Sequence, residues 1–252
     1  MCLYWKFADF CTRVDINGAF YQDLFPRFPP PEHLLPKSTN FRRESRLQLT
    51  GQSSNDFLSI TVISGFCKDI RHVQNVMHDN MSRRHLWKDT IFAGFYISPI
   101  VGDLLAIRLD VDNEPNPSTV LLEAFRLAAL LYVSDLRSKF GIDTLSAGPL
   151  YATKLLALLS SSSTQDWKMQ TDLLIWILAI AFTSQSLFLQ QRAWFIVMFN
   201  NALMARGIND FENLKALLAR IVWDEEILVI QSQTLESFVS NMVTSTHLTN
   251  QD

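Results

Sequence analysis

The chain has 252 residues, 48% hydrophobic and 12% aromatic, which is enough apolar material for a substantial core and excludes a chain disordered throughout. A formal net charge of -3 and a pI near 5.9 give no general attraction to nucleic acid or to anionic lipid surfaces. Residues 1–110 carry 13 Lys and Arg against 11 Asp and Glu, and the remainder 9 against 14, so neither half is a basic DNA-binding module by charge.

Cys2, Cys11 and Cys67 form no Cys-x-x-Cys pair and are odd in number. This argues against a disulfide framework or a thiolate zinc site and for a reducing compartment. The apolar first ten residues are interrupted by Lys6 and Asp9, so no secretory signal is expected. The longest clean apolar run, Leu173 to Phe182, is about half the length a bilayer-crossing helix needs and reads as a core helix, with no membrane span expected.

In chain order, residues 1–52 are expected to be an irregular N-terminal segment, because Pro26, Pro29, Pro30, Pro31 and Pro36 remove backbone donors and disfavour helix before them. Phe7, Phe10, Phe20, Tyr21, Leu24 and Phe25 are available there to pack on the rest of the protein or on a partner. Residues 53–252 are read as one helical domain, since apolar residues recur at separations of three and four. A helix is predicted over about 54–77, and a second over about 86–108, kinked or divided at Pro99 and Gly102.

After the Asp110 to Pro117 loop, Ser118 stands as an N-cap ahead of a helix over about 119–139, closed at Gly141. A shorter helix near 148–159 is expected to end in a Ser160 to Ser163 loop. Two helices follow at about 171–187 and 190–206, the first nearly apolar all round and therefore central. Gly207 is placed to close the second in a left-handed conformation, and Asn209 with Glu212 resembles a capping box that opens a helix running past Trp223. The expected fold class is all-α, an irregular bundle of about six to eight helices with no strand and no internal repeat.

No catalytic or metal constellation emerges. Asp110, Asp112 and Glu114 alternate like hard-cation ligands, but Pro115 and Leu121 occupy the positions where a calcium loop needs Gly and a bidentate acid. His72 and His78 are about 600° apart on a helix and read as surface histidines. Cys67 and His72 are off-register for a nucleophile pair. Arg42, Arg43 and Arg46 read as a basic surface loop, and Asp224, Glu225 and Glu226 as a solvated helix face. Trp176, Trp194, Phe195, Phe199 and Trp223 read as core aromatics on helices. No Gly-rich phosphate loop, nucleophile elbow or Asp-rich diphosphate motif appears, and no enzymatic activity or cofactor is expected.

Four segments stand in a suggestive order: Glu123-Ala-Phe-Arg-Leu-Ala-Ala-Leu-Leu-Tyr132, Leu173-Leu-Ile-Trp-Ile-Leu-Ala-Ile180, Arg192-Ala-Trp-Phe195 and Leu217-Leu-Ala-Arg-Ile-Val-Trp-Asp-Glu225. Over about residues 118–231 the series resembles the regulatory domain of fungal binuclear zinc-cluster transcription factors. The resemblance is one of packing residues and transfers no catalytic residue. It implies a nuclear transcription-regulatory domain acting by helix packing, by contacts with the transcription machinery or a homologous factor, and by effector response, with homo- or hetero-oligomers compatible. That family binds DNA through a six-cysteine zinc cluster that this sequence lacks, so direct DNA binding is not expected of this chain. It is then a truncated product, the product of a gene whose first exon was missed, or a relative that kept the regulatory domain alone. The competing readings are a helical scaffold or adaptor unrelated to transcription and a helical enzyme with an apolar pocket.

Overall fold

Two helices of this chain present no side to water over most of their length, and both are central. A computed structural model describes residues 11, 14–27, 55–81, 85–107, 117–142, 147–162, 170–185 and 187–249, and among them all regular structure is helical, as the all-α reading expects. The helices are α1 (14–22), α2 (Asn55–Met81), α3 (Thr90–Tyr96), α4 (Ser98–Ala106), α5 (Pro117–Lys139), α6 (Gly148–Ser161), α7 (Thr171–Thr183), α8 (Leu189–Arg206), α9 (Phe211–Ile221) and α10 (Val229–Thr249). A 3-10 turn at Leu86–Lys88 precedes α3.

α5 is buried without a break from Ala124 to Arg137, and α7 from Ile175 to Thr183. A helix that is dry all round must have neighbours all round. α5 accordingly packs on α2, α4, α6 and α7, while α7 packs on α5, α8, α9 and α10. Where the two meet, the Trp176 ring stacks on Phe125 at 5.4 Å and meets Phe66 of α2 edge-on at 6.4 Å. Ring pairs at such separations add about 0.5–1.5 kcal/mol each beyond area burial. The polar edges are satisfied as burial demands: Trp176 Nε1 donates to the Val222 carbonyl at 2.7 Å, and Tyr132 Oη accepts from Gln74 Nε2 at 3.0 Å. A second aromatic nest joins Phe182 of α7, Phe199 of α8 and Phe238 of α10 at 5.2–5.8 Å.

Local chemistry sets most boundaries. The 86–108 candidate is divided, with Pro99 in the first turn of α4, where its missing N–H costs nothing. Gly141 (φ 70) and Gly207 (φ 73) take the left-handed conformation expected of them. Behind Gly207 the Ile208 N–H reaches the Leu203 carbonyl at 3.0 Å and the Gly207 N–H the Met204 carbonyl at 3.1 Å, which satisfies the end of α8.

Several boundaries differ from expectation. α5 begins at Pro117, so Ser118 lies inside it rather than capping it. The cap of α9 is Asp210, whose carboxylate accepts from Asn213 N at 2.7 Å, one residue beyond Asn209. That helix stops at Ile221, so Trp223 follows it, buried in a loop with Nε1 on Ser232 Oγ at 3.1 Å. The serine run remains helical to Ser161, because the hydroxyls of Ser160 and Ser161 donate back to the Leu156 and Leu158 carbonyls at 2.7 and 3.0 Å.

The expectation of an irregular segment over 1–52 is corrected at 14–22, which is helical. Ile16, Ala19 and Phe20, spaced three and four apart, are buried against the body. Tyr151 Oη donates to the Phe20 carbonyl, and the two rings lie 5.2 Å apart. Tertiary packing thus makes a helix of a segment too short to be stable alone. Pro29, Pro30, Pro31 and Pro36 fall outside the described residues.

Candidate functional site

A cleft forms where one face of α2 meets three helix ends. Ile63, Ser64, Cys67, Lys68 and Arg71 recur along α2 at helical spacing, and opposite them stand Gln170 to Leu173 at the start of α7, Arg206 at the end of α8, and Arg220 and Ile221 at the end of α9. The cleft is open to solvent and has a volume of about 650 Å³, within the range of about 300–1,000 Å³ typical of small-molecule sites.

Its electrostatics are one-sided. Among the described residues, Lys68, Arg71, Arg206 and Arg220 face it against the one carboxylate of Asp172. That carboxylate is shared, accepting from Arg206 Nε at 2.7 Å and from Arg220 Nη2 at 3.3 Å. Arg71 Nη2 donates to the carbonyls of Arg220 and Ile221 at 2.5 and 2.8 Å, closing the C-terminal end of α9 where unpaired carbonyls collect negative partial charge. Lys68 is exposed and has no hydrogen-bond or ion-pair partner among the described residues. The amino end of α7 opens on the same space with no side-chain cap, adding the positive pole of a helix dipole.

Nucleophilic chemistry has little support in the cleft. Burial pushes the Cys67 thiol up to about 11, the nearby Arg71 charge offsetting only part of the effect, so the thiolate is scarce at neutral pH. Among the described residues, no histidine lines the space. The arrangement is suited to holding an anion.

Elsewhere the residues weighed from sequence have structural partners. His72 lies with its ring 6.3 Å from Tyr96. His78 is a clamp: Nε2 is 2.6 Å from Asp224 Oδ2 and Nδ1 is 3.3 Å from Glu226. The hydrogen bond to Asp224 comes first among the causes that raise its pKa, joined by the charges of Asp224, Glu226 and Asp79. Asp224, Glu225 and Glu226 therefore do not form a helix face. They lie in the turn after α9, where Asp224 Oδ1 accepts from Glu226 N and Ile227 N at 3.1 Å, and Glu225 pairs with Lys215 at 3.1 Å. Asp110, Asp112, Glu114, Arg42, Arg43 and Arg46 fall outside the described residues. Trp176, Phe195 and Phe199 are buried as expected, and Trp194 is half-buried beside Phe195.

Sequence reading missed a buried ionic cluster. Arg126 bonds Asp23 through both terminal nitrogens at 2.8 and 3.1 Å and Glu123 through Nε and Nη2 at 2.7 and 2.6 Å, while Lys154 reaches Asp23 at 2.6 Å. Burial alone would raise the Asp23 carboxyl, but the hydrogen bonds and charges of Arg126 and Lys154 outweigh it and hold the group well below the carboxylate range. Only the Glu123/Arg126 spacing was a visible signal, since Asp23 lies 103 residues away from Arg126.

The outer side of α8 offers a surface of another kind. Leu189, Val197 and Met204, about two turns apart in succession, are 84%, 57% and 62% exposed, and Phe188 at the helix start is 63% exposed. Among the described residues, no helix is long and apolar enough to cross a membrane, and no group of three or more His, Cys, Asp or Glu is placed to hold a metal ion. No family model matches the chain, and no curated protein or solved structure does so either.

Proposed function

We propose that this chain is a non-catalytic regulatory domain of the kind found in fungal binuclear zinc-cluster transcription factors, working in the nucleus through protein contacts and effector response. The observation that carries the reading is the common use of the four ordered segments. Phe125 and Tyr132 of the first, Trp176 of the second, Phe195 of the third and Val222 of the last are all buried, and Trp176 touches the first segment with its ring and the last with its Nε1. A pattern whose residues specify an interior is what a shared fold leaves in a sequence, and it carries no chemistry of its own.

Protein contact needs an exposed apolar face, and the α8 stripe of Leu189, Val197 and Met204 supplies one. The same stripe equally favours a scaffold or adaptor with no role in transcription. Tethering the chain to a promoter through a heterologous DNA-binding module in fungal cells separates the two. The regulatory reading expects reporter transcription to change, and the change to be lost in Val197→Glu/Met204→Glu at equal protein level. A stable, promoter-bound fusion that leaves transcription unaltered would sink it and leave the scaffold.

A further inference from the structure

We infer that the cleft between α2, α7, α8 and α9 is a binding site for a small organic anion, an acidic head group carried on an apolar body. This deepens the effector response proposed above and rests on that reading for its regulatory meaning, while the binding itself is a separate property.

The charge argument comes first. Four cations face the space against one carboxylate, and Asp172 is already divided between Arg206 and Arg220. Among the described residues the lining thus carries a net charge of +3, part of it, at Arg71, set against the carbonyls that end α9, with the uncapped amino end of α7 beside it. Cations are ordinarily dispersed on a protein surface to limit repulsion, and here four converge on one concavity from three helices, which concentrates positive potential there. An anion entering the cleft relieves that repulsion, and Lys68, exposed and without a hydrogen-bond or ion-pair partner among the described residues, is available to engage it.

The rest of the wall indicates what the anion carries. Ile63, Leu173 and Ile221 line the same space, and Cys67 is a neutral, buried thiol. Leu173 and Cys67 are already buried, so the apolar surface left to cover is that of the half-buried Ile63 and Ile221. A bare inorganic ion would leave it wet, whereas a ring or short alkyl body covers it at roughly 25 cal/mol per Å² of apolar surface removed from water. About 650 Å³ accommodates such a molecule whole. Because the cleft joins mid-α2 to the ends of α7, α8 and α9, occupancy ties four helices together and stabilises the domain by mass action.

Isothermal titration of the full chain with 2-naphthoate, its neutral analogue 2-naphthamide and inorganic sulfate tests the inference. Saturable binding of 2-naphthoate is expected, with the amide and the sulfate each weaker by about tenfold or more, and with affinity falling as salt rises. Lys68→Gln is expected to weaken 2-naphthoate and Asp172→Asn to tighten it, each by about threefold to tenfold, with far-UV circular dichroism unchanged. Opposite signs from two substitutions in one cleft are not produced by a general loss of structure. Equal affinity for acid and amide, sulfate binding as tightly as 2-naphthoate, no saturation by about 10 mM, or an unaltered affinity in Lys68→Gln would each overturn the site. Failure to bind beside an intact reporter response removes this inference alone. Binding beside a silent reporter supports the site and removes the transcriptional reading.

Discussion

Arg126 and Arg137 project from nearly the same face of α5, about three turns apart, and both reach back to α1, yet their surroundings are opposite. Arg126 is enclosed by two carboxylates, with Asp23 and Glu123 both bonded to its guanidinium. Arg137 has no carboxylate partner among the described residues. Its Nη2 donates to Asn17 Oδ1 at 2.5 Å, its guanidinium lies 4.8 Å from the centre of the Phe20 ring, and its Nε and Nη1 find no hydrogen-bond partner. Burial lowers the Arg137 pKa to about 10 with little to oppose it, whereas at Arg126 the same burial is outweighed by Glu123 and Asp23 and the value rises. One end of the α1–α5 seam is a satisfied ionic cluster, and the other is a cation held by a ring and one amide. The lesson is that equal burial of the same residue type carries opposite energetic meaning, decided by partners.

Breaking the paired end gives the largest expected effect. Arg126→Met takes the guanidinium from two carboxylates, the buried Asp23 and the half-buried Glu123, and a loss of about 3–5 kcal/mol is expected in urea unfolding. Asp23→Asn keeps the shape and the Glu123 pair, so a smaller loss of about 2 kcal/mol is expected at neutral pH. That variant also tests linkage. A carboxyl held below its unfolded value stabilises above the unfolded pKa and stops doing so as pH falls, so the gap between parent and Asp23→Asn should narrow as unfolding is measured from pH 7 down through pH 4 to pH 2.

Asp135 sharpens the comparison, because it is a buried carboxyl on the same helix with the opposite shift. Burial raises it to about 7, and the bonds from Gln231, Ser184 and the Gln185 backbone, with the charge of Lys139, counter only part of this. The folded state then holds a proton that the unfolded state releases near pH 4, so stability falls as pH rises from about 4 to about 7. Asp135→Asn should remove that slope and unfold at higher temperature than the parent at pH 8, by on the order of 1 kcal/mol. The smallest effect is expected at Arg137→Met. It discards two unsatisfied donors and a desolvated charge together with the Phe20 contact, so thermal melts should place it within about 1 kcal/mol of the parent. A loss as large as that of Arg126→Met would abolish the distinction.

What the sequence showed depended on whether the cause was local. The all-apolar Leu173 to Phe182 run identified a central helix, Pro99 divided its segment, and Gly207 with Ile208 ended α8 as their chemistry requires. Each cause acts within about one turn of its effect. α1 escaped notice because its helicity depends on Tyr151 and Arg126, more than 100 residues away. α10 is rich in Ser, Thr and Gln with weak apolar periodicity, so no stripe announced it. The cleft was illegible for the same reason: Arg71 and Arg220, 149 residues apart, meet only when α2 docks on the end of α9, and four cations so dispersed form no motif.

The remoteness of α1 bears on the order of events in folding. The contacts that α1 and Asp23 just beyond it make with α6 and α5 close loops of 131 and 103 residues, whereas α7 and α8 are neighbours in sequence. Loop-closure entropy makes the distant contacts slow to form unless a folded surface is already present to receive them. α1 is therefore expected to add late, onto a formed α5–α6 pair, and Asp23→Asn should accelerate unfolding in stopped-flow mixing while leaving the refolding rate nearly unchanged. An ionic cluster made only after the rate-limiting step acts as a latch, setting how long the native state persists and not how quickly it is reached.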